Sequence, residues 1–433
     1  MINTSLSFIK KNKTILLVFL PPLIIFLILI RFGVNVPYWD QWEFVTIWQK
    51  FHQGTLGFAD FWVQHNEHRI VIPRLVMFIM GIITNWNVKL ELFISFVISL
   101  ASFGLIIKLL VSTRVLGKNK GILVLVLMSF LFFSPIQSEN WLWGWQIQWF
   151  LSVFGLILVV WSLYRDKMKA EYFILAVIGT ILAAYSLGNG FLSVGMGIVL
   201  LLLQNKRRSA LVYTLISVPI IGLLYIGYRS PEHSSSIKYI LLNLRVFTDY
   251  VLTYLGGSIS PTIELSKYVG LTLLVMLVSA IIVIYKQKTS VNRIYPWIAL
   301  ALYVVTSAVL TGLARISYGG VAQAYSSRYT TISVLFVISV VVIIYIAIYS
   351  TTNKSVFEQY SLSVFALILF SLTILNYQKG VNEIRLTNKH LQEIKQCSIG
   401  YNPSSQCLTS LYPNEDIVIN RLKFIKSINY GGY

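Results

Sequence analysis

Apolar runs of roughly 17–25 residues, the length a helix needs to cross a bilayer, recur from one end of the chain to the other. The first follows Lys10, Lys11 and Lys13 and continues to Ile30. No small-residue cleavage pattern follows it, so a retained first span is expected, kinked by Pro21 and Pro22. Later spans are read at about 88–111, 121–134, 147–164, 171–187, 190–204, 210–228, 268–285, 294–313, 329–350 and 358–376. The run Ile70–Trp86 is barely long enough to cross and is interrupted by Pro73 and Arg74. Were it to cross, the basic loop with Arg114, Lys118 and Lys120 would face outward, so a re-entrant or in-plane helix fits better. The pattern therefore predicts an all-α polytopic membrane protein of about eleven spans.

Charge sets the orientation. Arg165, Lys167 and Lys169, then Lys206, Arg207 and Arg208, then Lys286, Lys288 and Arg293, then Lys354 occupy alternate connections, which the positive-inside rule places in the cytoplasm. The expected protein has its N-terminus in the cytoplasm and its C-terminus on the outer face of the membrane. Composition agrees: of 433 residues, 56% are hydrophobic and only 12% charged, against about 25% charged in ordinary globular domains. The net charge of +19 is explained by anionic headgroups and calls for no nucleic acid.

Three stretches break the apolar pattern. Residues 33–74 form a first external loop in which Trp42, Val45, Trp48 and Phe51 share one helical face, expected at headgroup depth. Residues 229–267 form a second, where Ile237, Ile240, Leu244, Phe247, Val251 and Tyr254 make an interfacial stripe. From 377 to 433 the chain turns polar, with a helix expected at 380–396 and then a turn-rich periplasmic tail with little core of its own. Cys397 and Cys407 lie there; the ten-residue spacing is compatible with a disulfide or with two thiols. The membrane domain thus covers 1–376.

Polar residues beside the bilayer are costly and mark candidate chemistry. Asp40 and Glu43, in Tyr38-Trp39-Asp40-Gln41-Trp42-Glu43, sit among aromatics where the first span ends. A carboxylate there is suited to take the proton of a hydroxyl that attacks a sugar's anomeric carbon. The alternative is a pair of solvated helix-start acids. His65-Asn66-Glu67-His68-Arg69 adds Glu67, His68 and Arg69. The His65, Glu67, His68 spacing is no recognised zinc pattern, so no metal is expected; Arg69 suits an anionic ligand or Glu67. Arg74 can reach a headgroup or lipid phosphate. Trp141, Trp143, Trp145 and Trp149, in Glu139-Asn140-Trp141-Leu142-Trp143-Gly144-Trp145-Gln146-Ile147-Gln148-Trp149, suit sugar rings, although Trp also favours interfaces for its own sake. Asn189 caps another hairpin as a candidate substrate contact. Arg315 and Arg328, the latter beside Tyr329, end apolar spans where a lipid-linked phosphate would lie, and interface anchoring is the plainer role for both.

Tyr38-Trp39-Asp40, His65-Asn66-Glu67-His68-Arg69, Ser186-Leu187-Gly188-Asn189-Gly190 and Ser327-Arg328-Tyr329, in a chain of this layout, resemble the GT-C superfamily of polytopic glycosyltransferases. Size and topology are similar to phage-type glucosyltransferases that modify O-antigen. The resemblance implies a polyprenyl-phosphate-linked hexose donor, a polysaccharide or lipid-linked glycan acceptor, no cofactor, and inversion on the periplasmic face. It also implies Asp40 as base, Glu67 as a second positioning acid, Glu43 in support, and Arg328 on the donor phosphate. The family's frequent adjacent acidic pair is missing, because Gln41 follows Asp40; the choice among Asp40, Glu43 and Glu67 stays open. An O-antigen polymerase or ligase would centre its chemistry on a later loop such as 229–267. A flippase for a lipid-linked sugar would carry mid-membrane charges and repeat symmetry, which the spans lack.

Overall fold

The computed structural model describes residues 13–116, 121–230, 237–288, 291–350, 356–400 and 403–433. Lys10, Lys11, Lys118, Lys120 and Lys354, which bear on orientation, lie outside these residues, as does the Ile237 side chain. The described chain is built from helices. Seven of them are long and apolar enough to cross a membrane: Ile15–Phe32, Val88–Ser112, Gly144–Leu163, Arg207–Leu224, Ile263–Gln287, Val291–Ala324 and Ser327–Tyr349. The architecture is that of an all-α polytopic membrane protein.

Four apolar helices are shorter, and the reason differs among them. Gly121–Phe132 has 12 residues, which rise only about 18 Å against a hydrocarbon core of about 30 Å. Ala170–Ala184 and Gly188–Leu203 likewise stop short of full-length spans. Val71–Thr84 falls on the ambiguous apolar run; Pro73 lies in its first turn, where a missing N–H costs no helical bond. Pro21 and Pro22 act the same way. They sit in the first turn of Leu20–Phe32, after a short 3-10 helix, so they start a helix where a mid-span kink was expected.

Ser327–Ser350 is buried almost along its whole length, which explains why it is apolar on every face. Around it Val291–Ala324, Ile263–Gln287 and Gly144–Leu163 complete the main core, while Arg207–Leu224 stays largely exposed at the periphery. The 229–267 segment holds two helices, Ile237–Leu242 and Leu244–Gly256. Tyr250, Tyr254 and Leu255 are buried in the bundle, whereas Leu241, Leu242 and Leu244 are exposed. The second helix therefore packs into the core where an interfacial position was expected, and Leu244 leaves the predicted stripe.

A second core forms beneath the first loop and revises two expectations. Trp42, Val45 and Trp48 are fully buried inside the protein, because the C-terminal segment covers them, while Phe51 of the same expected face is exposed. That segment is helical where a turn-rich tail was expected: Val356–Ile399 runs unbroken, followed by Ser405–Leu411 and Glu415–Ser427. Leu391, Leu411, Val418 and Ile425 pack against the loop's indoles. Tyr430 meets Trp48 edge-on at 5.1 Å, and Arg421 donates to the Trp42 carbonyl at 2.8 Å. Cys397 and Cys407 are joined in a disulfide with their Cα atoms 6.2 Å apart. Full burial of a large apolar side chain stabilises by about 1.5–3 kcal/mol. Two indoles so buried favour a fixed loop over one free at the lipid surface.

Candidate active site

At one end of the bundle lies a cavity of about 350 Å³. The first loop supplies Asp40, Glu67, His68 and Arg69 to its wall; the tryptophan-rich turn supplies Trp143 and Trp145. Asn189, Arg315, Arg328 and Tyr329 complete the set of predicted residues brought together there. Glu43, Arg74 and Trp141 lie outside it.

Asp40 is placed by a short 3-10 helix, Trp39–Phe44. Trp39 opens it with φ 48°, a left-handed conformation that a bulky residue adopts only when its surroundings enforce it. Gln41 supplies that enforcement. Its side-chain oxygen accepts from the Tyr38 N–H at 3.2 Å, and its amide donates to the buried Glu91 at 2.8 Å. Gly144 is required opposite, since a Cβ there would collide with the Glu91 carboxylate and Gln41 amide. Gln41, directly after Asp40, thus anchors the loop.

The second wall element is a tight turn, His65 to His68, closed by two main-chain hydrogen bonds of 2.8 and 2.9 Å. Asn66 takes φ 48°, which asparagine tolerates better than most residues. The turn aims His65 between two carboxylates: Nδ1 lies 3.0 Å from Glu43 and Nε2 lies 3.5 Å from Asp40. Trp145 packs edge-on against the ring at 5.1 Å. Burial acts to lower the imidazole's pKa, but the hydrogen bonds and charges of Asp40 and Glu43 outweigh it and push it up to about 9. Burial would raise Glu43, yet the bond and charge from His65, with Tyr412 and Arg421, hold it below the usual carboxylate range. His65 is therefore a cation that fixes Asp40 at the cavity, where its side chain keeps 28% exposure.

His68 behaves in the opposite way. Burial dominates and takes it down to about 4, leaving a neutral ring. Gly188 is the residue that makes room for that ring, since any Cβ would meet its Nδ1. Glu67, beside it, is gripped by Arg315 at 2.6 Å. Arg328 lies 3.4 Å from Glu139, whose other oxygen accepts from Ser326 at 3.1 Å and Ser327 at 2.6 Å. Tyr329 meets Trp149 edge-on at 5.6 Å, and Asn189 donates to Thr311 at 3.0 Å.

Four expectations change with the geometry. Arg69 borders the cavity but donates to the carbonyls of Trp62, Leu224 and Ile226, so its guanidinium is spent on backbone rather than aimed at an anion or Glu67. Arg74 is buried and donates to the Phe61 and Val63 carbonyls, with no access to a headgroup. Trp141 is buried against Phe150 and bonded to the Ser134 carbonyl, away from any sugar. Glu43 contacts His65 and Tyr412 and not the cavity.

Sequence reasoning missed Glu91, an acid near the start of an apolar helix, although an acid within a span was itself the signal. It also missed Tyr225 and Tyr228 on the cavity wall, which ordinary interface aromatics would mimic, whereas Trp149, the last indole of the tryptophan-rich stretch, lines that wall as well. Among the described residues no group of three or more His, Cys, Asp or Glu side chains is arranged to hold a metal ion. What the arrangement offers is one carboxylate poised on a cation, two partly exposed guanidinium groups and aromatic walls in a single cavity. No family model and no curated protein matches the chain.

Proposed function

We propose that this protein is a glycosyltransferase that moves a hexose from a polyprenyl-phosphate donor to a cell-surface or lipid-linked glycan. The observation that carries the reading is the cavity that gathers Asp40, Arg315 and Arg328 within aromatic walls. Asp40 takes the proton from an acceptor hydroxyl as that oxygen attacks the anomeric carbon. The bond from that carbon to the phosphate oxygen breaks, its electron pair leaves with polyprenyl phosphate, and configuration inverts in the single displacement. Arg315 and Arg328 receive the charge that develops on the leaving phosphate.

Magnitudes favour this use of the arginines. A half-exposed ion pair such as Arg328 with Glu139 is worth about 0–1 kcal/mol. A hydrogen bond to a charged group contributes about 1.5–3 kcal/mol, and a phosphate can offer two to one guanidinium. A phosphate therefore displaces the carboxylate. The topology that accompanies this reading has eleven spans, a cytoplasmic N-terminus and a periplasmic site in a bacterial inner membrane.

The test is Asp40→Asn in purified protein given lipid-linked hexose and acceptor. Transfer falls at least a thousandfold while donor binding stays unchanged and the protein remains folded, its melting temperature lowered only by the weaker hold on His65. An Asp40→Asn protein that transfers at the wild-type rate removes Asp40 from the role of base.

A further inference from the structure

Resting on the transferase reading, a second groove next to the cavity becomes informative. Its volume is about 300 Å³, and it lies between Tyr38 of the first loop, Glu139 and Trp143 of the tryptophan-rich turn, and Thr387 and His390 of the long C-terminal helix. Trp143 borders both spaces. Its indole N–H donates to the Tyr38 carbonyl at 3.0 Å, and the two rings meet edge-on at 5.6 Å, so the partition is pinned. A second link crosses it: Glu139 borders the groove, Arg328 borders the cavity, and the two are 3.4 Å apart.

We infer that this groove is the acceptor subsite and that it holds a neutral, hydroxyl-rich oligosaccharide. The first reason is room. A cavity of about 350 Å³ is at the low end of the roughly 300–1,000 Å³ typical of sites for a single ligand, yet transfer needs two substrates. The second is reach. Tyr38 precedes Asp40 by two residues, so their backbones are at most about 7 Å apart, and a chain seated against Tyr38 needs only to pass the edge of the Trp143 partition to bring a hydroxyl to the base. The third is chemistry. Aromatic faces suit the C–H face of a sugar, while a carboxylate, a hydroxyl and an imidazole suit its hydroxyls. Glu139 disfavours an acidic glycan. Trp39, 42% exposed and 6.2 Å from Tyr38 ring to ring, is placed to stack on the same chain.

The probe is the neutral oligosaccharide fraction released from the envelope of the expressing cell. It is titrated against full-length protein in detergent by saturation-transfer NMR, using Asp40→Asn protein so that no turnover occurs. Thr387→Trp fills the groove from the C-terminal helix; His390→Ala, a truncation at an exposed position, is the milder second variant. The inference expects Thr387→Trp to weaken oligosaccharide binding at least tenfold, and His390→Ala severalfold, with donor binding unchanged. In active protein the same variants raise the acceptor KM and not the donor KM. Wild-type oligosaccharide affinity in both folded variants overturns the subsite. Binding that the variants abolish, in a protein whose wild type transfers nothing, keeps the groove and removes the transferase reading instead. Should Thr387→Trp fail to give folded protein, His390→Ala decides alone.

Discussion

Arg69 and Arg74 carry the same guanidinium as Arg315 and Arg328, but the two pairs are held in different ways. The first pair is buried and donates to backbone carbonyls, among them Leu224, which lies 155 positions further along the chain from Arg69. A carbonyl in a folded backbone cannot leave, so those guanidinium groups are tied to the main chain. The second pair is held by carboxylates, Glu67 and Glu139, on side chains that can turn away. Partner chemistry, more than position near a span end, separates a staple from a ligand contact.

The largest expected effect tests the staples. Arg69→Ala strands three carbonyls at the junction between the first loop and the Arg207–Leu224 helix. Each charge-assisted bond contributes about 1.5–3 kcal/mol, so the loss is about 3 kcal/mol or more and yields little monodisperse protein in detergent. An Arg69→Ala protein with wild-type melting and no donor affinity would move Arg69 into the ligand class and erase the contrast.

Next comes the second pair. Arg315→Gln keeps the fold, since its carboxylate partner retains partial solvent access at 16% exposure, and lowers donor affinity ten- to a hundredfold. Arg328→Gln, at a more exposed position, lowers it about tenfold or less, and added salt narrows the difference from wild type. Donor titration at low and high ionic strength checks both. Equal loss of folded protein in Arg315→Gln and Arg69→Ala would show that partner chemistry does not sort them.

Much of the fold was legible because the membrane imposes a length and a composition on each span, and the helices fall on the predicted runs. The loops were legible as patterns without partners. Of the four residues grouped on one helical face, Trp42, Val45 and Trp48 are buried together and Phe51 is exposed, and what covers the buried three lies at the far end of the chain, in Leu411, Val418 and Ile425. Asp40 stood out because an acid among aromatics after a span is unusual, and it lines the cavity. Glu91 could not be weighed in the same way, since its value lies in a bond to Gln41, 50 residues earlier. Arginines look alike in sequence; only folding assigns them a carbonyl or a carboxylate.

A smaller effect concerns the two histidines, again one held by carboxylates and one by burial. The pKa of His65, raised from 6.5 to about 9, gives a contribution to stability complete below about pH 6.5 and lost as pH rises through about 9. His68, lowered from 6.5 to about 4, gives one present above about pH 6.5 and lost as pH falls towards 4. Together the two contributions put the maximum of melting temperature against pH near 6.5, with a fall on either side. His65→Gln removes the fall between about pH 6.5 and 9 and leaves the acid side intact. An alkaline fall that survives in His65→Gln assigns it to other groups.

The smallest effect bears on which acid is the base. Glu43 holds Nδ1 of His65 and is itself held by the Tyr412 hydroxyl at 3.3 Å, so it acts on Asp40 through the imidazole. Glu43→Gln keeps an oxygen that can accept from Nδ1 but removes a charge. The imidazole pKa then drops, and the alkaline limit of transfer moves towards neutrality, with about a three- to tenfold loss of kcat near pH 8. Tyr412→Phe removes one long hydrogen bond at a partly exposed site, worth about 0.5–1.5 kcal/mol at most, and costs threefold or less in the same assay. The order Asp40→Asn, then Glu43→Gln, then Tyr412→Phe is what a base, its second-hand support and that support's anchor require. A Glu43→Gln protein as inactive as Asp40→Asn at every pH would make Glu43 the base, and the cavity would then have to open towards it by a movement of His65.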